Sequence, residues 1–158
     1  MAIPFPTPIP AWRPRFIAAA VTVVAMIFPH SRSLAADVFP GPVMAHVLKV
    51  IDGDTFTAQA LIWPGQMLTV NVRLRGVDAP ELRACCEQER EAAMRATHAL
   101  EHLIQSDAPV AISNIASDKY YGRVVADVTT GAGDRVAQRL LDADLVKPYA
   151  GGGRAGWC

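Results

Sequence analysis

The stretch RLRGVDAPE, residues 73 to 81, brings Arg73, Asp78 and Glu81 within nine residues of one another. Upstream, IDGDT sets Asp54 in a turn composition, and downstream, DKYYGR sets Arg123 directly after Gly122. Asp54 and Asp78 each follow a strand-like run, where turns expose oxygen ligands. Hard cations such as Ca²⁺ take carboxylate, carbonyl and water oxygens at about 2.3–2.6 Å, so two aspartates and a main-chain carbonyl meet that requirement. Glu81 lies beyond Pro80, whose fixed φ stiffens the loop, and a positioned glutamate can take a proton from an attacking water. Arg73 and Arg123 are permanently charged forks that match phosphate oxygens. A phosphodiester passing through a more highly charged pentacoordinate state is stabilised by two such forks and a divalent ion. These are the parts of a metal-assisted phosphodiesterase, although each has an ordinary reading alone: DGDT as a solvated turn, DAPE as a Pro-rich turn, Arg73 and Arg75 as the outward face of a strand.

Positioning these groups is a task for short strands. MAHVLKVI (44 to 51) mixes β-branched residues with alternation and stops at DGDT. FTAQALIW (56 to 63) resumes the alternation, and LTVNVRLRG (68 to 76) repeats it with Leu68, Val70, Val72 and Leu74 on one face. A three-stranded antiparallel meander is predicted. From Glu87 to Gln105 the period turns helical, with Ala92, Ala96, Ala99, Leu100, Leu103 and Ile104 as the apolar stripe. PVAISNI (109 to 115) and GRVVADVTT (122 to 130) read as two more strands, and Asp134 is placed to N-cap a second helix over 135 to 144. The expected fold is β-rich α+β, a five-stranded OB-fold barrel with an inserted helix and a short C-terminal helix.

The chain has 158 residues, room for one domain. Arg13 and Arg15, the apolar run FIAAAVTVVAMIF (16 to 28) and the small residues of SLAAD have the order of a secretory signal. The run is short against the roughly 20 residues of a membrane-spanning helix. We expect a signal peptide over 1–36 and a working domain over 37–158, exported to the periplasm or secreted, monomeric and without stable membrane association. That domain keeps 12 Lys+Arg against 15 Asp+Glu, a net of −3, so no global basic field draws in nucleic acid and phosphate recognition must be local. Cys85, Cys86 and Cys158 all fall in it, where disulfides persist. Adjacent cysteines make a strained pair, so Cys158 is expected to bridge to Cys85 or Cys86 and tie down the tail. A zinc site is the weaker alternative, because no CxxC pair exists, and His98 and His102 lack the zincin pattern around them.

Taken in order, VIDGDT, VRLRGVDAPE, an alanine-rich helix, DKYYGR and LLDADLVKPY resemble the thermonuclease family, the staphylococcal-nuclease-like domain, over roughly residues 44 to 149. The resemblance implies an OB-fold barrel acting as a Ca²⁺-dependent phosphodiesterase on DNA and RNA. Carried onto matching positions, it makes Asp54, Asp78 and the Ala79 carbonyl ligands of one Ca²⁺. It makes Arg73, Glu81 and Arg123 the catalytic trio, with Glu81 the general base, and extends substrate contacts to Lys119, Tyr149 and either Tyr120 or Tyr121. The choice between the two tyrosines stays open because the family's D-K-Y-G-R carries one extra residue here. Position 79 is Ala where the type member has Thr, and the chain ends soon after Tyr149, without that member's third C-terminal helix. Two other readings remain: an OB-fold module that binds nucleic acid without cleaving it, and an exported interaction domain with a vestigial site.

Overall fold

The computed structural model describes residues 38–104, 108–154 and 156–158, so the expected signal segment and Gln105 lie outside the described residues. β1 (Val43–Val50), β2 (Thr55–Trp63) and β3 (Gln66–Leu74) form the expected antiparallel meander. β4 (Val77–Asp78) follows, then α1 (Glu87–Ile104), β5 (Val110–Ser117), β6 (Arg123–Thr129), α2 (Val136–Asp142) and β7 (Lys147–Pro148). Five strands close a barrel in the order β1, β2, β3, β6, β5, with β1 pairing back onto β5. The β3–β6 seam is parallel and the other pairings are antiparallel. Closure removes exposed sheet edges, and the architecture is the β-rich OB-fold expected from the strand pattern.

Inside, Phe56, Val72, Leu74, Val110 and Ile112 fill the barrel, and α1 covers it with Ala93, Ala96, Leu100 and Ile104. Ala93 was not in the expected stripe. It lies three residues before Ala96 and seven before Leu100, on the same helical face, whereas Ala92, Ala99 and Leu103 flank that face half-buried. Leu68 also departs from expectation: the far end of the β2–β3 hairpin extends beyond the core and leaves it 49% exposed. Among the described residues no helix is long and apolar enough to cross a membrane.

Three local corrections bear on the site. The β4–β7 pair was not foreseen, being only two residues per strand; it matches Val77 with Pro148 and Asp78 with Lys147 and so pins the Asp78 segment against the start of the tail. Asp134 does not cap α2. A bridge between Thr129 and Arg135 keeps Arg135 extended, so Arg135 is the N-cap residue without a side-chain cap bond, and Asp134 exchanges hydrogen bonds with Thr130 instead. Finally, β2 does not alternate at its start: Thr55, Phe56, Thr57 and Ala58 are all buried, with the two threonine hydroxyls donating to Asp54 Oδ1 and Asn71 Oδ1.

Candidate functional site

The turn after β1 shapes one wall. The Ile51 and Asp52 amides donate to the Thr55 carbonyl, closing a tight turn, and Asp52 Oδ1 accepts from the Asp54 amide at 3.1 Å. Glycine at 53 is dictated by packing: a Cβ there would lie 2.7 Å from the Ala96 Cβ and 2.9 Å from the Ala79 Cβ. The turn is therefore pressed between α1 and the residue that follows Asp78. From it Asp54 reaches three neighbouring segments. Its carbonyl accepts from the Leu74 amide at 2.8 Å, Oδ1 accepts from Arg73 Nη1 at 2.7 Å and from the Thr55 hydroxyl at 2.8 Å, and Oδ2 accepts from the Ala79 amide at 3.0 Å.

Asp54 is almost wholly buried, and burial pushes its carboxyl up from 3.8 to about 6 despite the opposing charge of Arg73. Asp78 is buried beside it. Arg73 Nη2 spans to Asp78 Oδ1 at 3.5 Å and donates to the Val77 carbonyl at 3.3 Å. Arg73 is thus not a free outward arginine of β3 but the link between two buried carboxylates. Arg75, its expected companion, turns to the Val125 carbonyl at 2.9 Å and to Asp127.

Glu81 follows the buried Pro80 and projects into solvent. Its amide donates to Glu89 Oε1 at 3.1 Å, so the first turn of α1 fixes the loop that carries it. The oxygens of Asp78, Ala79 and Glu81 are close enough to be engaged by one guanidinium, that of Arg154. Arg154 Nε donates to both Asp78 oxygens at 3.0 and 3.1 Å, Nη2 donates to the Ala79 carbonyl at 2.6 Å, and Nη1 pairs with Glu81 Oε1. Burial would lower the proton affinity of Arg154, but its bonds to Asp78 and the charges of Asp78 and Glu81 outweigh that and raise it. Two carboxylates and a carbonyl gathered around one cation, with the buried Asp54 adjoining, are hard donors of the kind a divalent ion takes. A divalent ion would also favour the ionised form of Asp54, which burial disfavours.

The opposite wall is the β5–β6 hairpin. Parallel pairing sets Arg123 beside Asn71 and Arg73 beside Val125, so the two arginines stand on one face of adjacent strands. Asp118 Oδ2 accepts from Arg123 Nε at 2.5 Å, and the Arg123 guanidinium lies 4.5 Å from the centre of the Tyr120 ring, with Lys119 Nζ at 5.0 Å. Burial of Asp118 works against its charge, but hydrogen bonds from Arg123 and the Lys119 amide prevail and lower its pKa. The turn points its two tyrosines apart: Gly122 takes φ +77, the Arg123 amide donates to the Tyr120 carbonyl, and Tyr121 is left fully exposed. Tyr120, not Tyr121, lines the pocket.

Between the walls lies an open pocket of about 690 Å³, lined among others by Arg73, Asp78, Glu81, Arg123, Tyr149 and Arg154. Asp54 and Ala79 stand behind its floor, and Lys119 and Tyr120 form its rim. Cys86 and Cys158 are joined in a disulfide and Cys85 is an exposed free thiol. Sequence reasoning missed Arg154 and Asp118. The motif DKYYGR already contained Asp118, five residues before the arginine it holds. Arg154 carried a fainter signal, the one charge in a glycine-rich tail ending in a cysteine.

No curated protein matches the chain. A family model described as staphylococcal nuclease homologue matches residues 71–150, a span that contains the Arg73 to Glu81 loop, α1, the Arg123 hairpin and Tyr149. With the closed five-stranded barrel and this pocket, the match assigns the chain to the family of staphylococcal nuclease homologues.

Proposed function

We propose that the protein is an exported, Ca²⁺-dependent nuclease that hydrolyses phosphodiester bonds of DNA or RNA. The observation that carries this reading is the adjacency, in one pocket, of a cation-attracting oxygen cluster and two arginines on neighbouring strands. Asp54, Asp78 and the Ala79 carbonyl would hold the cation, and the family is generally Ca²⁺-dependent. When bound, a divalent ion supplies positive charge that offsets the charge building up on a phosphodiester under attack.

The remaining work falls to the chain's own residues. Arg123, braced by Asp118 and Tyr120, presents its guanidinium edge to phosphate oxygens. Arg73 adds charge from the strand beside it and, by bridging Asp54 and Asp78, holds both carboxylates in place. Glu81 is solvent-accessible at the pocket edge and takes the proton from an attacking water at its carboxylate. Tyr120 and Tyr149 offer ring faces and Lys119 a positive charge to the flanking nucleotide. The apolar run over 16 to 28 and the disulfide support export, to the periplasm or beyond the cell, where such bridges persist.

The test is cleavage of single-stranded DNA and RNA by the purified chain with Ca²⁺ or with chelator, beside an Asp54→Ala control. Chelator-sensitive cleavage that disappears in the control is expected. A second reading, a binding module without catalysis, has one observation behind it: the donor oxygens are already engaged by Arg154. A folded protein that binds single strands and cleaves none with any divalent ion would establish it instead.

A further inference from the structure

The arginine among the site oxygens belongs to a segment built to keep it there. The described residues of the tail, 149–154 and 156–158, have no regular structure, yet both ends are fixed. At one end the β4–β7 pair and a bond from the Tyr149 amide to the Gly76 carbonyl, 2.9 Å, anchor the tail to the loop that carries Asp78. At the other, the Cys86–Cys158 disulfide anchors it beside the start of α1. Gly151 and Gly152, at φ +99 and +95, turn the chain back across the pocket, and the Tyr149 hydroxyl donates to the Gly152 carbonyl at 2.9 Å to hold the bend. Lys147 steadies the far limb, donating to the Gly156 carbonyl at 2.6 Å and lying 4.2 Å from the centre of the Trp157 ring. Between these anchors Arg154 extends into the site.

Its contacts are not those of a phosphate-binding arginine at rest. The fork is spent on Asp78, the Ala79 carbonyl and Glu81, the same oxygens needed to hold a cation and to take a proton. A guanidinium that engages the Asp78 oxygens, the Ala79 carbonyl and Glu81 together stands where a divalent ion must stand to reach them, and like charges at contact distance repel. Resting on the cation-site reading above, we propose that the tail is an autoinhibitory strap in which Arg154 is a tethered competitor of the divalent cation, held in register by the Cys86–Cys158 bridge. Tethering makes Arg154 a competitor at high effective concentration however dilute the protein, and closing the loop with a disulfide removes conformations in which the arginine lies elsewhere. The apparent cation affinity is then the intrinsic affinity reduced by the fraction of time the strap is open.

The test measures Ca²⁺ binding to the full-length chain by isothermal titration calorimetry, with no nucleic acid present, for the parent, Arg154→Gln and Cys158→Ser. If the strap is seated most of the time, Arg154→Gln tightens Ca²⁺ binding by about tenfold or more, including the case where the parent shows no measurable binding. Cys158→Ser, which keeps the arginine and cuts the tether, tightens it by less. Equal or weaker Ca²⁺ binding in Arg154→Gln than in a parent that binds would overturn the strap and leave the cation site standing. Absence of binding in all three would remove the cation site and the strap together. Tightening in Arg154→Gln but none in Cys158→Ser would keep the competitor and strike out the bridge as its tether. Because the readout is binding, it does not depend on whether the protein cleaves nucleic acid.

Discussion

Asp54 and Asp78, in the segments that form one side of the pocket, are 2% and 4% exposed, whereas Tyr120 and Tyr121, in the hairpin that forms the other, are 55% and 108% exposed. The first wall is part of the core. Asp54 hangs from a turn wedged against Ala79 and Ala96, and its atoms bond to Arg73 and Leu74 at the end of β3 and to the Ala79 amide, about 19 to 25 positions along the chain. The second wall is a hairpin whose functional groups are arranged by contacts within a few residues: Asp118 to Arg123, Tyr120 under Arg123, and Gly122 turning the corner. A site set by tertiary packing tolerates little change, whereas one set by a local turn leaves a side chain such as Tyr121 outside the packing altogether. The cation-attracting half of the pocket is therefore rigid and linked to stability, and the aromatic half is adaptable.

Four experiments would break or sharpen this contrast. The largest effect is expected for Glu81→Gln, which removes a proton acceptor from an exposed position: turnover should fall by about 10²- to 10⁴-fold with little change in the unfolding curve. Wild-type turnover would take Glu81 out of the mechanism. Next, Gly53→Ala should destabilise the fold by about 1–3 kcal/mol through overpacking and impair the site with it, since its Cβ meets Ala96 and Ala79. Unchanged denaturant stability would mean that the wall can yield.

The third concerns pH. Asp54 titrates near 6 in the folded chain and near 3.8 unfolded, so its contribution to stability is fully present below 3.8 and is lost as pH rises through about 6. In chelator, urea unfolding should show stability falling between about pH 4 and 6, by about 3 kcal/mol at most from this group. Asp118, whose pKa is lowered, works in the opposite sense at more acid pH, losing its contribution as pH falls below the ordinary aspartate range. A stability curve that rises from about pH 4 to 6 would contradict the desolvated Asp54. The smallest effect belongs to Tyr121→Ala, which should stay within about 0.5 kcal/mol in stability and leave single-strand affinity unchanged, while Tyr120→Ala weakens it. Equal loss in both would place the exposed tyrosine in the interface as well.

Much of this arrangement was legible along the chain. Strand alternation located the five barrel strands to within a few residues, because side-chain direction with period two is a property of the backbone itself. The clustering of Arg73, Asp78 and Glu81 could be read for the same reason: they share one strand end and one Pro-stiffened loop. Other features were hidden. The two-residue β4–β7 pair has no periodicity to detect, and the failure of Asp134 as a cap follows from a bridge between Thr129 and Arg135 that no local preference announces.

By itself, then, the order of residues determined the barrel, the helix that covers it and the types of group at the pocket, since apolar periodicity and turn chemistry act over neighbouring positions. Tertiary structure alone decided which of those groups meet. Asp54 joins Ala79 across 25 positions of separation and Arg154 joins Asp78 across 76, contacts that exist because barrel closure and a disulfide bring distant segments together. It also chose Cys86 over Cys85 as the partner of Cys158 and Tyr120 over Tyr121 as the aromatic at the pocket. In each of those pairs the two candidates are adjacent and of one type, so only the direction in which the folded backbone points them tells them apart.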